Sequence, residues 1–157
     1  MTYEEIKNII SQGEGVNIEF KKSTTDITKD VYETVCAFSN REGGHILLGV
    51  KDDGTVIGVD RNRAERIRSD FVTSINNPNK MYPPLYLMIE NIEYDDKLII
   101  YIFVPESTQV CRCGGRIFDR NNDSDIDITN SGDLVFKLYS KKQGTCLLYT
   151  SPSPRDR

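Results

Sequence analysis

The sequence predicts an α+β domain: a mixed sheet of about six strands with three or four helices packed on it. Three observations carry that prediction. Apolar residues recur at helical spacing in several segments separated by polar turns. Ile46-Leu47-Leu48-Gly49-Val50, set between Gly43-Gly44 and Asp53-Gly54, is a short apolar run suited to a central strand buried on both faces. Leu98 to Val104 is a second such run, and a strand candidate and a turn precede it.

Taken in order, Thr2-Tyr-Glu-Glu5 is a capping box, so a helix should run from Tyr3 to Gln12 with Ile6, Ile9 and Ile10 on its apolar face. Gly13 ends it. Val16 to Lys21 alternates. Val16, Ile18 and Phe20 point one way, and Asn17, Glu19 and Lys21 point the other. Ser23 to Thr28 offers several N-caps for a helix reaching Asn40, with Ile27, Val31, Val35 and Phe38 at helical spacing. Gly43-Gly44 stops that helix, and Asp53-Gly54 signals a hairpin into a short strand, Thr55 to Gly58. Arg61 to Asn76 reads as a third helix with a stripe of Ala64, Ile67, Phe71 and Ile75; its arginines fit a solvated face better than a nucleic-acid patch. A long hairpin follows, Leu85 to Glu93 and Leu98 to Val104 around Tyr94-Asp-Asp-Lys97. Gln109 to Cys113 and Arg116 to Asp119 suggest a short hairpin around Gly114-Gly115, and Asn121 to Asp127 an acidic loop. A last helix should begin at Asn130-Ser131-Gly132-Asp133 and reach Lys142.

Composition bounds the function. The 157 residues suffice for one domain with a core, and 38% hydrophobic residues with a mean hydropathy of -0.46 fit a soluble globular protein. No apolar run is long enough to span a membrane, and the N-terminus lacks a signal-peptide core. A net charge of -4 argues against coating nucleic acid by bulk charge but leaves room for a local basic groove. Cys36, Cys111, Cys113 and Cys146 are too few and uneven for a disulfide framework, which points to a reducing cytoplasm. Cys146 to Asp156 reads as the in-frame translation of a sequencing adapter. Residues 1–145 are therefore expected to be the native domain, residues 146–157 a disordered non-native tail, and the chain the N-terminal piece of a longer protein.

Among candidate chemical groups the carboxylates come first. Glu14 and Glu19 bracket the start of one strand, with Lys21 on the same face as Glu19. Asp52 and Asp53 close the glycine-rich strand. If the two strands are neighbours, Glu14, Glu19 and Asp52 or Asp53 could converge on Mg²⁺ or Mn²⁺, which take oxygen ligands and bind phosphates. Lys21 could then neutralise phosphate charge. Spacing alone is a weak signal, because Asp-Gly is ordinary turn chemistry and Glu/Lys alternation ordinary for a solvated strand face. Cys111-Arg-Cys113 is a poor zinc signature without a second pair. His45 is the only histidine, so no triad can be built on a His base, and neither GxxxxGK[ST] nor GxGxxG is present.

Glu14-x4-Glu19-Phe-Lys21, Ala37-Phe-Ser-Asn40, Gly43-Gly44, Leu48-Gly49-Val50, Asp53-Gly54 and Ile57-Gly58 together resemble the AlbA_2 domain, a Schlafen-type domain described as DNA-binding. Gln109 to Arg120 and Asp125-Ile-Asp-Ile-Thr129 resemble its end, so the resemblance covers residues 10–143. It implies a bacterial protein in which such a domain precedes an ATP-binding or winged-helix portion, as in transcriptional regulators and RecG-like helicase-related proteins. In Schlafen relatives that cleave RNA, two glutamates and an aspartate form a metal-dependent nuclease site. The resemblance would place that site on Glu14, Glu19 and either Asp52 or Asp53. The expected function is nucleic-acid binding, to DNA or RNA, with Lys21, Lys22, Arg41 and Arg116 as phosphate contacts. The alternatives are a Mg²⁺/Mn²⁺-dependent endoribonuclease and an assembly domain without catalysis, for which a homo-oligomer is allowed. Any ATPase would lie in a further C-terminal domain in cis.

Overall fold

The parallel pairing of two strands separated by a helix sets the architecture. In the computed structural model, which describes residues 1–150 and side chains as far as Gln143, β1 (Ile18–Lys21) lies parallel to β2 (Gly44–Leu48), with Glu19 opposite Ile46. Parallel strands need a long crossover, and α2 (Lys29–Asn40) provides it. β5 (Lys97–Val104) runs antiparallel to β2, and β4 (Met88–Tyr94) antiparallel to β5, giving a mixed sheet in the order β1-β2-β5-β4.

Alternation along these strands divides the core. Ile46, Leu48, Ile100, Ile102 and Val104 face one side and meet Val31, Val35 and Phe38 of α2 and Ile67, Phe71 and Ile75 of α3 (Ala64–Ile75). Ile18, Phe20, Leu47, Ile99 and Tyr101 face the other and meet Ile6 and Ile9 of α1 (Tyr3–Gln12). Glu19 and Lys21 alternate with Ile18 and Phe20, which puts them on the α2 side of the sheet edge.

Helix α1 has the expected bounds, and both halves of its capping box form: Thr2 N donates to Glu5 Oε1 at 2.8 Å and Glu5 N to Thr2 Oγ1 at 3.2 Å. Helix α3 starts later than expected. Arg61 and Arg63 lie ahead of its first turn and pair with Glu93 and Asp26. The α+β class and the mixed sheet stand, but the strands are distributed differently from the expectation. Beside the four-stranded sheet there are two short ladders: β3 (Met81–Tyr82) with β6 (Arg112–Cys113), and β7 (Phe118–Asn121) with β8 (Ser124–Asp127).

The hairpin expected around Gly114-Gly115 is only a tight turn, closed by two bonds between Cys113 and Arg116, because Cys113 takes Met81 as its ladder partner. The stretch expected to be an acidic loop is instead the β7–β8 hairpin, turning at Asn122 with φ 53°. The strand expected over Thr55–Gly58 reduces to one bridge, Val50 to Val56. Ile57 N and Gly58 N both turn back to Gly49 O, which ends the ladder.

The last helix, α4 (Gly132–Thr150), packs Val135 and Leu138 on Val110, Ile117 and Ile128. It runs past the expected end near Lys142, so the segment read as an adapter-derived tail begins inside it; residues 151–157 of that segment lie outside the described residues.

Candidate functional site

Where β1 forms the sheet edge, the β7–β8 hairpin folds over it and leaves a polar cleft of about 680 Å³. Arg120 of β7 organises this region. Its side chain is wholly buried, with Cζ 4.8 Å from the centroid of the Phe38 ring. Nη1 donates to Glu19 Oε1 at 2.9 Å and to Asp125 Oδ1 at 2.7 Å. Nη2 donates to Gly15 O at 2.8 Å and Ile18 O at 3.2 Å, and Nε to Gly15 O at 3.2 Å. A planar fork of fixed donors suits this task, joining the strand edge, one glutamate and the hairpin.

Glu14, Glu19, Lys21, Lys22, Asp30, Asp52 and Asp125 all line the cleft. Glu14 turns back on the strand, its Oε2 accepting from Phe20 N at 3.0 Å. Lys21 Nζ lies 2.8 Å from Asp30 Oδ2 and 3.8 Å from Glu19 Oε2. Burial would lower the Lys21 ammonium, but these two carboxylates carry it above its usual range. Burial, then the facing carboxyl of Glu14, push Glu19 up to about 8 against the opposing pull of Lys21 and Arg120. Glu19 Oε1 accepts from Arg120, and its Oε2 lies toward the Lys21 ammonium.

The sequence candidates separate. Glu14, Glu19, Lys21, Lys22 and Asp52 are brought to one cleft. Asp53 is not: its Oδ1 accepts from Thr55 N at 2.9 Å, and this turn bond holds its carboxyl below the usual range. Arg41 lies elsewhere, forked onto Asp119 (Nη2 to Oδ2, 2.7 Å). Arg116 is tied to Asp127 at 2.8 Å. Among the described residues no three His, Cys, Asp or Glu side chains converge on a point that could hold a metal ion. Glu19 is engaged by Arg120, and Glu14 by the backbone. The residues as placed therefore do not fit the Mg²⁺ or Mn²⁺ site that the resemblance implies.

Two residues that organise the region had no assigned role in the sequence reading. Arg120 is visible in the sequence only as the end of the Gln109–Arg120 stretch that resembles the family. Asn40, fully buried at the end of α2, accepts from Cys111 N at 2.7 Å and donates to Cys111 O at 3.0 Å and Phe118 O at 2.8 Å. Its place after Ala37-Phe-Ser, where a helix ends in the core, was the available signal.

This combination of crossover sheet, edge cleft and closing hairpin lies within residues 14–129, and that span matches the family described as Schlafen, AlbA_2. The chain belongs to that family. An uncharacterized ATP-binding protein of Ureaplasma parvum serovar 3 is 39% identical over 67 residues, which is 41% of this chain and 19% of that protein. The DIP2311 protein of Corynebacterium diphtheriae shares the fold with a TM-score of 0.57 at 14% identity, over 79% of this chain and 29% of that one. The N-terminal domain of the "Putative ATP-dependent DNA Helicase RecG-related Protein" of Nitrosomonas europaea aligns with a TM-score of 0.51 at 25% identity, over 63% of this chain and 71% of that one. This AlbA_2 chain thus spans about a fifth of the length of the curated relative it matches. No described helix is long and apolar enough to cross a membrane.

Proposed function

We propose that this chain is a nucleic-acid-binding domain that serves a longer, ATP-binding or helicase-related protein. The observation that carries the reading is the likeness, at 25% identity, to the N-terminal domain of a RecG-related helicase within the family match. The electrostatics constrain how such binding would work. The cleft at the β1 edge holds seven carboxyl side chains (Glu14, Glu19, Asp30, Glu33, Asp52, Asp123 and Asp125) against Lys21 and Lys22. Such a surface repels phosphate. Lys21, Arg41 and Arg116 are already committed to carboxylates, so of the four expected phosphate contacts Lys22 is the one not ion-paired among the described residues. Phosphate contact should therefore come mainly from outside the acidic cleft.

The test is fluorescence anisotropy of labelled single-stranded DNA, duplex DNA and RNA against the chain at low salt, followed by a salt titration. Binding that weakens as salt rises is the expected result. No binding at low salt, together with a stable oligomer, would replace this reading with an assembly domain. Incubation with structured RNA and Mn²⁺ is the companion assay. Intact RNA agrees with a binding domain. Cleavage that disappears in Glu19→Gln would make the protein a nuclease instead.

A further inference from the structure

Beside the β3–β6 ladder, α4 borders a cavity of about 400 Å³. Met81 and Cys113 are ladder partners and face the core, so their neighbours Tyr82 and Arg112, also partners, face this cavity. Tyr82 is 58% exposed, and Tyr139 of α4 is 43% exposed. Two aromatic rings with exposed faces thus line one cavity.

Arg112 Nη2 donates to Tyr139 Oη at 2.9 Å. Among the described residues its partner is a neutral hydroxyl, whereas Arg41, Arg61, Arg63, Arg66, Arg116 and Arg120 each pair with a carboxylate. The floor holds an ion pair. Lys142 is buried there and donates to Ser107 O at 2.6 Å, Ser39 O at 3.2 Å and Glu106 Oε2 at 3.3 Å. Gln109 and Gln143 add amides to the wall.

We propose that this cavity takes an unstacked base of a single-stranded nucleic acid, stacked on Tyr82 or Tyr139, with its phosphate on Arg112. The inference rests on the nucleic-acid reading above. A π-face beside an uncompensated guanidinium is what single-strand sites use, because every base has a face to stack and every link carries a phosphate. Amide side chains can pair with an exposed base edge. The volume lies in the range of about 300–1,000 Å³ typical of small-ligand pockets, which admits a nucleoside but not a duplex.

The experiment is anisotropy with labelled oligo-dT, oligo-U and a DNA duplex, using the full chain and the variants Tyr82→Ala, Arg112→Gln and, as a control, Gly132→Ala. Thermal melts of each variant confirm the fold. Wild type should prefer either single strand to the duplex. Tyr82→Ala should weaken single-strand binding about fivefold or more. Arg112→Gln should weaken it and flatten its salt dependence by about one phosphate contact. Gly132→Ala, which lies outside the cavity lining and meets nothing within 4 Å, should bind close to wild type. The ratio of oligo-dT to oligo-U affinity tells whether the strand is DNA or RNA. If folded Tyr82→Ala and Arg112→Gln bind as wild type does, or if the duplex competes equally, the cavity is not a base site and only this inference falls. If wild type binds no nucleic acid, the reading under Proposed function falls with it.

Discussion

A single guanidinium satisfies the carboxyl side chains of Glu19 and Asp125 and two backbone carbonyls at the edge of the sheet. Removing one partner of a buried pair leaves an uncompensated charge, which costs about 3–5 kcal/mol. Arg120→Met should therefore lower the stability by about that much, read from the midpoint of urea unfolding, and an unchanged midpoint would contradict the role given to Arg120. Arg120→Lys should not rescue it, since one ammonium cannot reproduce a fork aimed at Glu19, Asp125, Gly15 and Ile18. Glu19 gives a pH prediction. Its folded pKa is raised from 4.5 to about 8, so the folded state holds a proton that the unfolded state releases. The stability this contributes is complete below about 4.5 and is lost as pH rises through about 8. Glu19→Gln should flatten the decline in stability across that window. An identical slope in wild type and variant would refute the raised Glu19 pKa.

At the scale of elements, the α2-to-β2 connection is the tightest piece of backbone. A Cβ at Gly44 would lie 2.7 Å from Asn17 O and 2.7 Å from the Phe38 ring, and neither can give: one is backbone entering β1, the other is packed beneath Arg120. Gly44→Ala should cost about 1–3 kcal/mol as an overpacked site. Gly132→Ala meets nothing within 4 Å and should leave the thermal midpoint unchanged or slightly higher. At the first helix, Thr2→Ala removes half of the capping box and should cost about 1 kcal/mol, measurable by thermal unfolding. If Gly44→Ala and Gly132→Ala behaved alike, the close approach of α2's end to β1 would not be a packing constraint.

For the whole molecule, net charge sets the style of any binding. With a formal charge of -4, affinity for nucleic acid has to come from a few local cations rather than a coat of them. The logarithm of the affinity for a single strand should fall with the logarithm of salt at about 0.7 per phosphate contacted. A shallow slope of one to a few contacts is expected, and a slope demanding many would mean that a basic surface is assembled by another part of the protein or by self-association.

The sequence by itself determined the α+β class, the bounds of α1, the two central runs and the family, because these rest on local periodicity, caps and turn residues. It also brought Glu14, Glu19 and Lys21 together, since they sit within one strand and its approach. What it left open was decided only by tertiary structure. Asp52 faces the cleft while Asp53 is spent on its turn, a difference of one residue in backbone direction. The acidic stretch became a hairpin because Arg120 needed Asp125 across from it. The acids that spacing made a metal-site candidate were instead distributed among a buried arginine, a lysine and a backbone amide. Whether a charge meets water, an ion or another side chain depends on which distant segment covers it, and no local pattern records that.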